Sequence, residues 1–155
     1  MNAFLNKFSW HKGVQMTCMI ALGLLFIFAG LSKLQDLSEF TKDINDYRML
    51  PQDWAPYLAA WLPWLETFTG AAILFRPFRL TGIWLSCLLL AMFTFAVATA
   101  LVRGVDISCG CFGKAFEAYA GSASIVLLRD ICLLVASFGL LRLIWKNELA
   151  DSSLE

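Results

Sequence analysis

The sequence predicts an all-α fold: a four-transmembrane-helix bundle with an amphipathic interfacial helix between spans 1 and 2. Three observations predict it. The 155 residues are 59% hydrophobic and 15% charged, with a mean hydropathy of +0.69, more apolar than a soluble core of this size requires. Four apolar runs, each near the ~20 residues that cross a ~30 Å hydrocarbon layer at 1.5 Å per residue, alternate with charged breaks. Between the first and second runs the apolar residues recur every three or four positions. Net charge is zero and there is no basic block, which excludes nucleic acid as a partner and leaves the lipid bilayer as the principal one.

The first span covers about 14–31, and Val14 to Leu31 carries no charge. Lys7 and Lys12 precede it and Ala29 and Gly30 close it, as in a secretory signal. The run exceeds the ~7–15 residues of a signal h-region, so a retained helix is expected. Residues 1–13, with Phe4, Leu5, Phe8 and Trp10 beside Lys7, His11 and Lys12, suit a cytoplasmic, interfacial N-terminus. His11 reads as a surface residue.

After this span, Leu34, Leu37, Phe40, Ile44 and Tyr47 form an apolar stripe, with Asp36, Glu39, Lys42, Asp43 and Asp46 between. This is the pattern of a helix lying on the membrane surface, ended by Pro51. It either roofs a pocket among the spans or is an ordinary connection.

The second span, about 55–75, opens on aromatic residues and is interrupted by Glu66. Glu66 lies ~15 Å below the outer end at helical rise. A carboxylate there faces the bundle interior, takes a partner and marks function by default. Arg129, ~8–10 Å deep by the same measure, is the expected partner, with Lys33 at the end of the first span as the alternative. A pair that only fixes helix packing is the competing reading.

The third span, about 80–102, carries no charge, and the fourth, about 122–145, carries Arg129, Asp130 and Arg142. Residues 14–145 thus form one membrane domain and 146–155 a cytoplasmic tail. Lysines and arginines divide evenly between the faces. The short Arg76-Pro77-Phe78-Arg79 connection holds two arginines and no acid, which puts that end and both termini in the cytoplasm.

Between the third and fourth spans stands Cys109-Gly110-Cys111-Phe112-Gly113. This loop then faces outward, where disulfides persist. A Cys-x-Cys pair closes a small ring, and strained or exposed disulfides are the reactive ones. Gly110 and Gly113 permit a tight turn, while Arg103, Lys114 and the following helix N-terminus favour thiolate. Cys109 and Cys111 are therefore the candidate exchanging pair, against a static disulfide. Metal binding is not expected, because zinc wants four ligands and no further Cys or His falls on this face. Cys18 and Cys87 read as small buried hydrophobes. Electrons leaving the dithiol need an acceptor, and a lipophilic quinone in the bundle, near Glu66, Arg129 or Asp130, is the candidate cofactor.

Phe28, Gly30, Lys33, Leu34 and Asp36, then Tyr47, Leu50 and Pro51, then Pro63, Trp64, Glu66 and Gly70 resemble the four-helix pattern of DoxX-type proteins. Arg103-Gly104, the CGCFG block and Leu128-Arg129 resemble specifically the MauE branch, the methylamine-utilisation membrane proteins. The resemblance covers roughly residues 14 to 145. It implies a bacterial inner-membrane protein associated with redox maturation, serving a disulfide-rich periplasmic client such as the methylamine dehydrogenase small subunit, alongside a thioredoxin-like partner. It carries the family's cysteine pair to Cys109 and Cys111 and its membrane acid to Glu66. Asp130 stands where asparagine is expected; ionised, it competes with Glu66 for Arg129. A non-enzymatic maturation or transport factor, and a quinone-linked oxidoreductase subunit of the DoxX type, are the alternative functions.

Overall fold

The computed structural model describes residues 2–49, 51–104 and 123–152. Among the described residues there are five α-helices: α1 (Asn2–Gln35), α2 (Leu37–Asp46), α3 (Ala55–Leu74), α4 (Arg79–Val102) and α5 (Ala123–Ser152). Two single 3-10 turns, Gln52–Trp54 and Arg76–Phe78, precede α3 and α4. Helices α1 and α4 contain segments long and apolar enough to cross a membrane, Gly13–Gln35 and Arg76–Val102. Trp61, Pro63, Trp64 and Glu66 dilute the apolar character of α3, and Arg129, Asp130 and Arg142 do the same for α5.

Two helices run past the apolar stretches that the sequence marks. Residues 2–13 are the first turns of α1, and α5 runs on past residue 145 to Ser152. No helix breaker stands at either junction, and Gly13 alone does not stop a helix that propagates one hydrogen bond per residue. Continuation to Gln35 also places Lys33 inside α1.

Helix α2 forms where expected. Asp36 Oδ1 accepts from the Glu39 backbone N–H at 3.1 Å and from Ser38 Oγ at 2.8 Å, capping the new helix immediately after α1 ends. At its other end Arg48 takes φ 48°, the left-handed conformation that stops a helix. Arg103 Nη1, at the end of α4, donates to the Arg48 carbonyl at 3.2 Å, and Thr99 Oγ1 donates to the Met49 sulfur at 3.3 Å. These contacts fasten the α2–α3 connection to the last turn of α4.

Helices α1 and α3 run antiparallel with their backbones in close contact. A Cβ on Gly30 would stand 2.6 Å from the Pro63 carbonyl oxygen, and one on Gly70 would stand 2.8 Å from the Ile27 nitrogen. Small residues at such a crossing let backbone approach backbone, the usual device where lipid supplies no hydrophobic drive. Pro63 removes one ladder donor inside α3, and its own carbonyl accepts Thr67 Oγ1 at 2.8 Å.

The core is layered along the bundle. Towards the Arg76–Phe78 turn, Met19, Leu22 and Phe26 of α1 pack with Ile73 of α3, Ile83, Leu89 and Leu90 of α4 and Leu140 and Leu141 of α5. Towards the opposite end, where α2 lies, a smaller cluster joins Val97 and Ala100 of α4 to Val126 of α5. Charged side chains occupy the level between. The outward faces are apolar on all four long helices, with Leu24, Phe68, Leu88 and Val135 among the exposed residues. Cys18 and Cys132 are exposed on these faces and Cys87 is half-buried. The expectation of interior packing therefore fails for Cys18, whose helical position turns it outward from the Met19 and Leu22 face.

Candidate functional site

Lys33 of α1 and Glu66 of α3 are 3% and 2% exposed, and Lys33 Nζ donates to Glu66 Oε1 in a buried ion pair. The ammonium also sits over two rings, 4.5 Å from the Phe93 centroid on α4 and 5.0 Å from the Phe40 centroid on α2. One cation thereby draws four helices together. A desolvated cation over an aromatic face gains about 2 kcal/mol, which offsets part of the cost of removing the charge from water.

Arg129 of α5 pairs locally. Its Nε and Nη2 donate to Asp130 Oδ1 at 3.1 and 2.9 Å, with Asp130 buried and Arg129 half-buried. The expected Glu66–Arg129 pair is thus replaced by the alternative, Lys33, and Asp130 takes the guanidinium. Side-chain lean explains this. Helical side chains tilt towards their own N-terminus. α1 begins at the Arg76–Phe78 end, so Lys33 leans down into the bundle; α3 begins at the α2 end, so Glu66 leans up to meet it. α5 also begins at the α2 end, so Arg129 leans away from Glu66's level.

The four charged residues nevertheless line one small cavity of about 30 Å³, walled by Leu25, Phe26, Ala29, Leu90, Phe93 and Leu133. A second cavity of about 230 Å³ lies under α2, between Phe40, Ile44 and Tyr47 above and Leu58, Leu62, Met92, Phe93 and Phe95 of α3 and α4. Helix α2 does roof a pocket. Phe93 lines both cavities and divides them, and the exposed Met92 and Phe95 stand where the larger one meets the bundle's outer face.

Arg103 caps α4 and holds the Arg48 carbonyl. Cys109, Gly110, Cys111, Phe112 and Gly113 lie outside the described residues. Their flanking anchors, Gly104 after α4 and Ala123 at the start of α5, are both at the α2 end of the bundle. Sequence reasoning missed Phe93 and Phe40 as partners of the buried ammonium. Phe40 lay in the apolar stripe of α2, but Phe93 was one aromatic residue in an uninterrupted apolar run.

The described residues define an all-helical bundle, apolar outside, with a charged centre where α1, α3 and α5 meet. The chain belongs to the MauE family: the family model described as "Methylamine utilisation protein MauE" matches residues 11–144. Among curated relatives, the "Methylamine utilization protein MauE" of Paracoccus denitrificans is 34% identical over 94 residues, covering 60% of this chain and 50% of that protein. The protein of the same name from Methylorubrum extorquens is 29% identical over 118 residues, 76% of this chain and 62% of that protein. That of Paracoccus versutus is 32% identical over 92 residues, 59% and 50% respectively. The matched stretch spans only about half to three-fifths of these relatives' length. No solved structure matches the chain.

Proposed function

We propose that this protein is a multi-pass inner-membrane component that handles thiol/disulfide exchange for the maturation of an extracytoplasmic partner, in the setting of methylamine utilisation that its relatives' names give. The apolar outer faces of all four long helices support four crossings, because a surface so rich in exposed large hydrophobics needs lipid against it. Arg76 and Arg79 in the tight turn between α3 and α4 support a cytoplasmic position for that end. The α2 end then faces the periplasm, and with it the connection that carries Cys109 and Cys111.

The observation that carries the reading is this pair, one residue apart, in a segment whose two anchors both lie at the α2 end. In the exchange, a client thiolate attacks one sulfur of the Cys109–Cys111 disulfide, forming a mixed disulfide and releasing the other sulfur as thiolate. A second client thiolate then attacks the mixed bond. The client leaves with a disulfide, and the Cys109/Cys111 pair is left as a dithiol carrying the two electrons and two protons. A thioredoxin-like partner's disulfide returns the pair to the oxidised form by the reverse sequence.

A Cys109→Ser or Cys111→Ser variant is expected to trap a mixed disulfide with the thioredoxin-like partner, because the remaining thiolate attacks that partner's disulfide and has no neighbour to resolve the bond; the adduct is visible as a reducible band. Full maturation activity in both variants with no trapped species would leave the pair a static clasp, and the protein a non-enzymatic maturation or transport factor. Impermeant thiol reagent applied to intact cells should label the pair only after reduction. Labelling only after permeabilisation would overturn the orientation.

A second reading, in which the electrons pass to a lipophilic quinone, is favoured by the apolar 230 Å³ cavity under α2. There the dithiol delivers two electrons and two protons to give quinol. Binding of a short-chain quinone, lost on filling the cavity with Ala96→Phe, is the check.

A further inference from the structure

Glu66 offers two carboxylate oxygens, and the ion pair uses one. Oε1 takes the Lys33 ammonium, while Oε2 is buried and accepts no hydrogen bond from any described group. An unsatisfied charged acceptor of this kind costs upwards of about 1–3 kcal/mol unless a donor reaches it. Glu66 lines the 30 Å³ cavity, whose other polar walls are Lys33, Arg129 and Asp130.

Size and charge both restrict what this cavity takes. A water needs about 10–15 Å³ of such volume and two to four polar partners, so about 30 Å³ admits one or two waters and nothing with a carbon skeleton. Lys33 and Arg129 already balance Glu66 and Asp130. An added ion would leave a net charge surrounded by Leu25, Phe26, Leu90 and Leu133, at the cost that makes lone charges rare in such surroundings. The occupant is therefore a neutral hydrogen-bond donor.

We propose that the cavity is a binding site for internal water, which donates to Glu66 Oε2 and to the Asp130 carboxylate and so joins α3 and α5 through one hydrogen-bonded centre. Leu90 and Phe93 are what α4 contributes to this centre, so the water bridge is confined to α3 and α5, with Lys33 fixing the Glu66 end. The proposal does not rest on cysteine exchange, and its test needs no redox partner.

The test is solid-state NMR on the full chain in liposomes, with carboxyl carbons of Glu and Asp labelled with carbon-13 and polarisation started from mobile water protons. The Glu66 signal, assigned by its loss in Glu66→Gln, is expected to receive water polarisation at a rate comparable to that of exposed Asp53, despite its burial. Ala29→Val, which adds two methyl groups to the cavity wall, is expected to abolish this transfer while the Lys33–Glu66 contact persists. A silent Glu66 in the unmodified protein overturns the proposal. So does unchanged transfer in Ala29→Val, which would trace the signal to the Lys33 ammonium protons. Should that variant fail to fold, Leu133→Phe fills the same space from α5 and is read in the same way.

Discussion

Lys33 and Glu66, 33 positions apart in the chain, form an ion pair with both side chains buried, and two phenylalanine rings flank the ammonium. The pair is what holds the end of α1 to the middle of α3. Its worth lies less in attraction than in mutual neutralisation, because either charge alone would be stranded.

Removing one partner is therefore expected to be far worse than removing both. Lys33→Met or Glu66→Leu alone should cost about 3–5 kcal/mol of unfolding free energy, whereas the double replacement should recover most of that loss. Denaturant unfolding in detergent, run as a double-mutant cycle, measures the coupling directly. Additive single effects would show that the two side chains act independently.

The α1–α3 crossing gives a steric prediction. Gly70→Val places a branched side chain against the α1 backbone at Ile27, and overpacking of this kind costs about 1–3 kcal/mol. Gly139→Ala, where nothing lies within 4 Å, should instead stabilise α5 slightly through helix propensity. Thermal unfolding of the two variants side by side checks both directions.

Much of this centre can be read in the sequence, and the part that cannot has a definite cause. Glu66 and Asp130 declare themselves because carboxylates in apolar runs are expensive, and the three- and four-residue spacing of Leu37, Phe40 and Ile44 announces α2. Partner choice is different. Depth counted in residues puts Arg129 near Glu66, but it locates Cα atoms, and the tilt of each side chain towards its helix N-terminus reverses the outcome. Phe93 carries no local signal at all, since its role depends on which face of α4 meets Lys33. Helix ends at 2–13 and 146–152 were not legible, because hydropathy marks where apolar character stops, not where backbone hydrogen bonding stops.

The connection between α2 and α3 offers a local test. Arg103→Gln removes the guanidinium that holds the Arg48 carbonyl, an exposed contact whose loss should leave global stability within about 0.5 kcal/mol. Hydrogen exchange should nevertheless accelerate at residues 47–51, where the left-handed Arg48 depends on that anchor. Unchanged exchange there would mean that Thr99 and Met49 suffice.

Tryptophan depth provides the check on four crossings. Trp54 precedes α3 and Trp64 lies ten residues along, a rise of about 15 Å; both are exposed on the outer face. In single-tryptophan variants, headgroup-labelled lipid should quench Trp54 more strongly, and mid-chain-labelled lipid should quench Trp64. Equal quenching from the headgroup would lay α3 along the surface.

The placement of the two ion pairs bears on how the chain is made. Lys33 and Glu66 lie in α1 and α3, which are synthesised before α4 and α5, and Arg129 and Asp130 are adjacent in the later-made α5. With the four crossings proposed above, each instalment would reach the bilayer with these charges already cancelled, and neither half would have to wait for the other before leaving the insertion machinery.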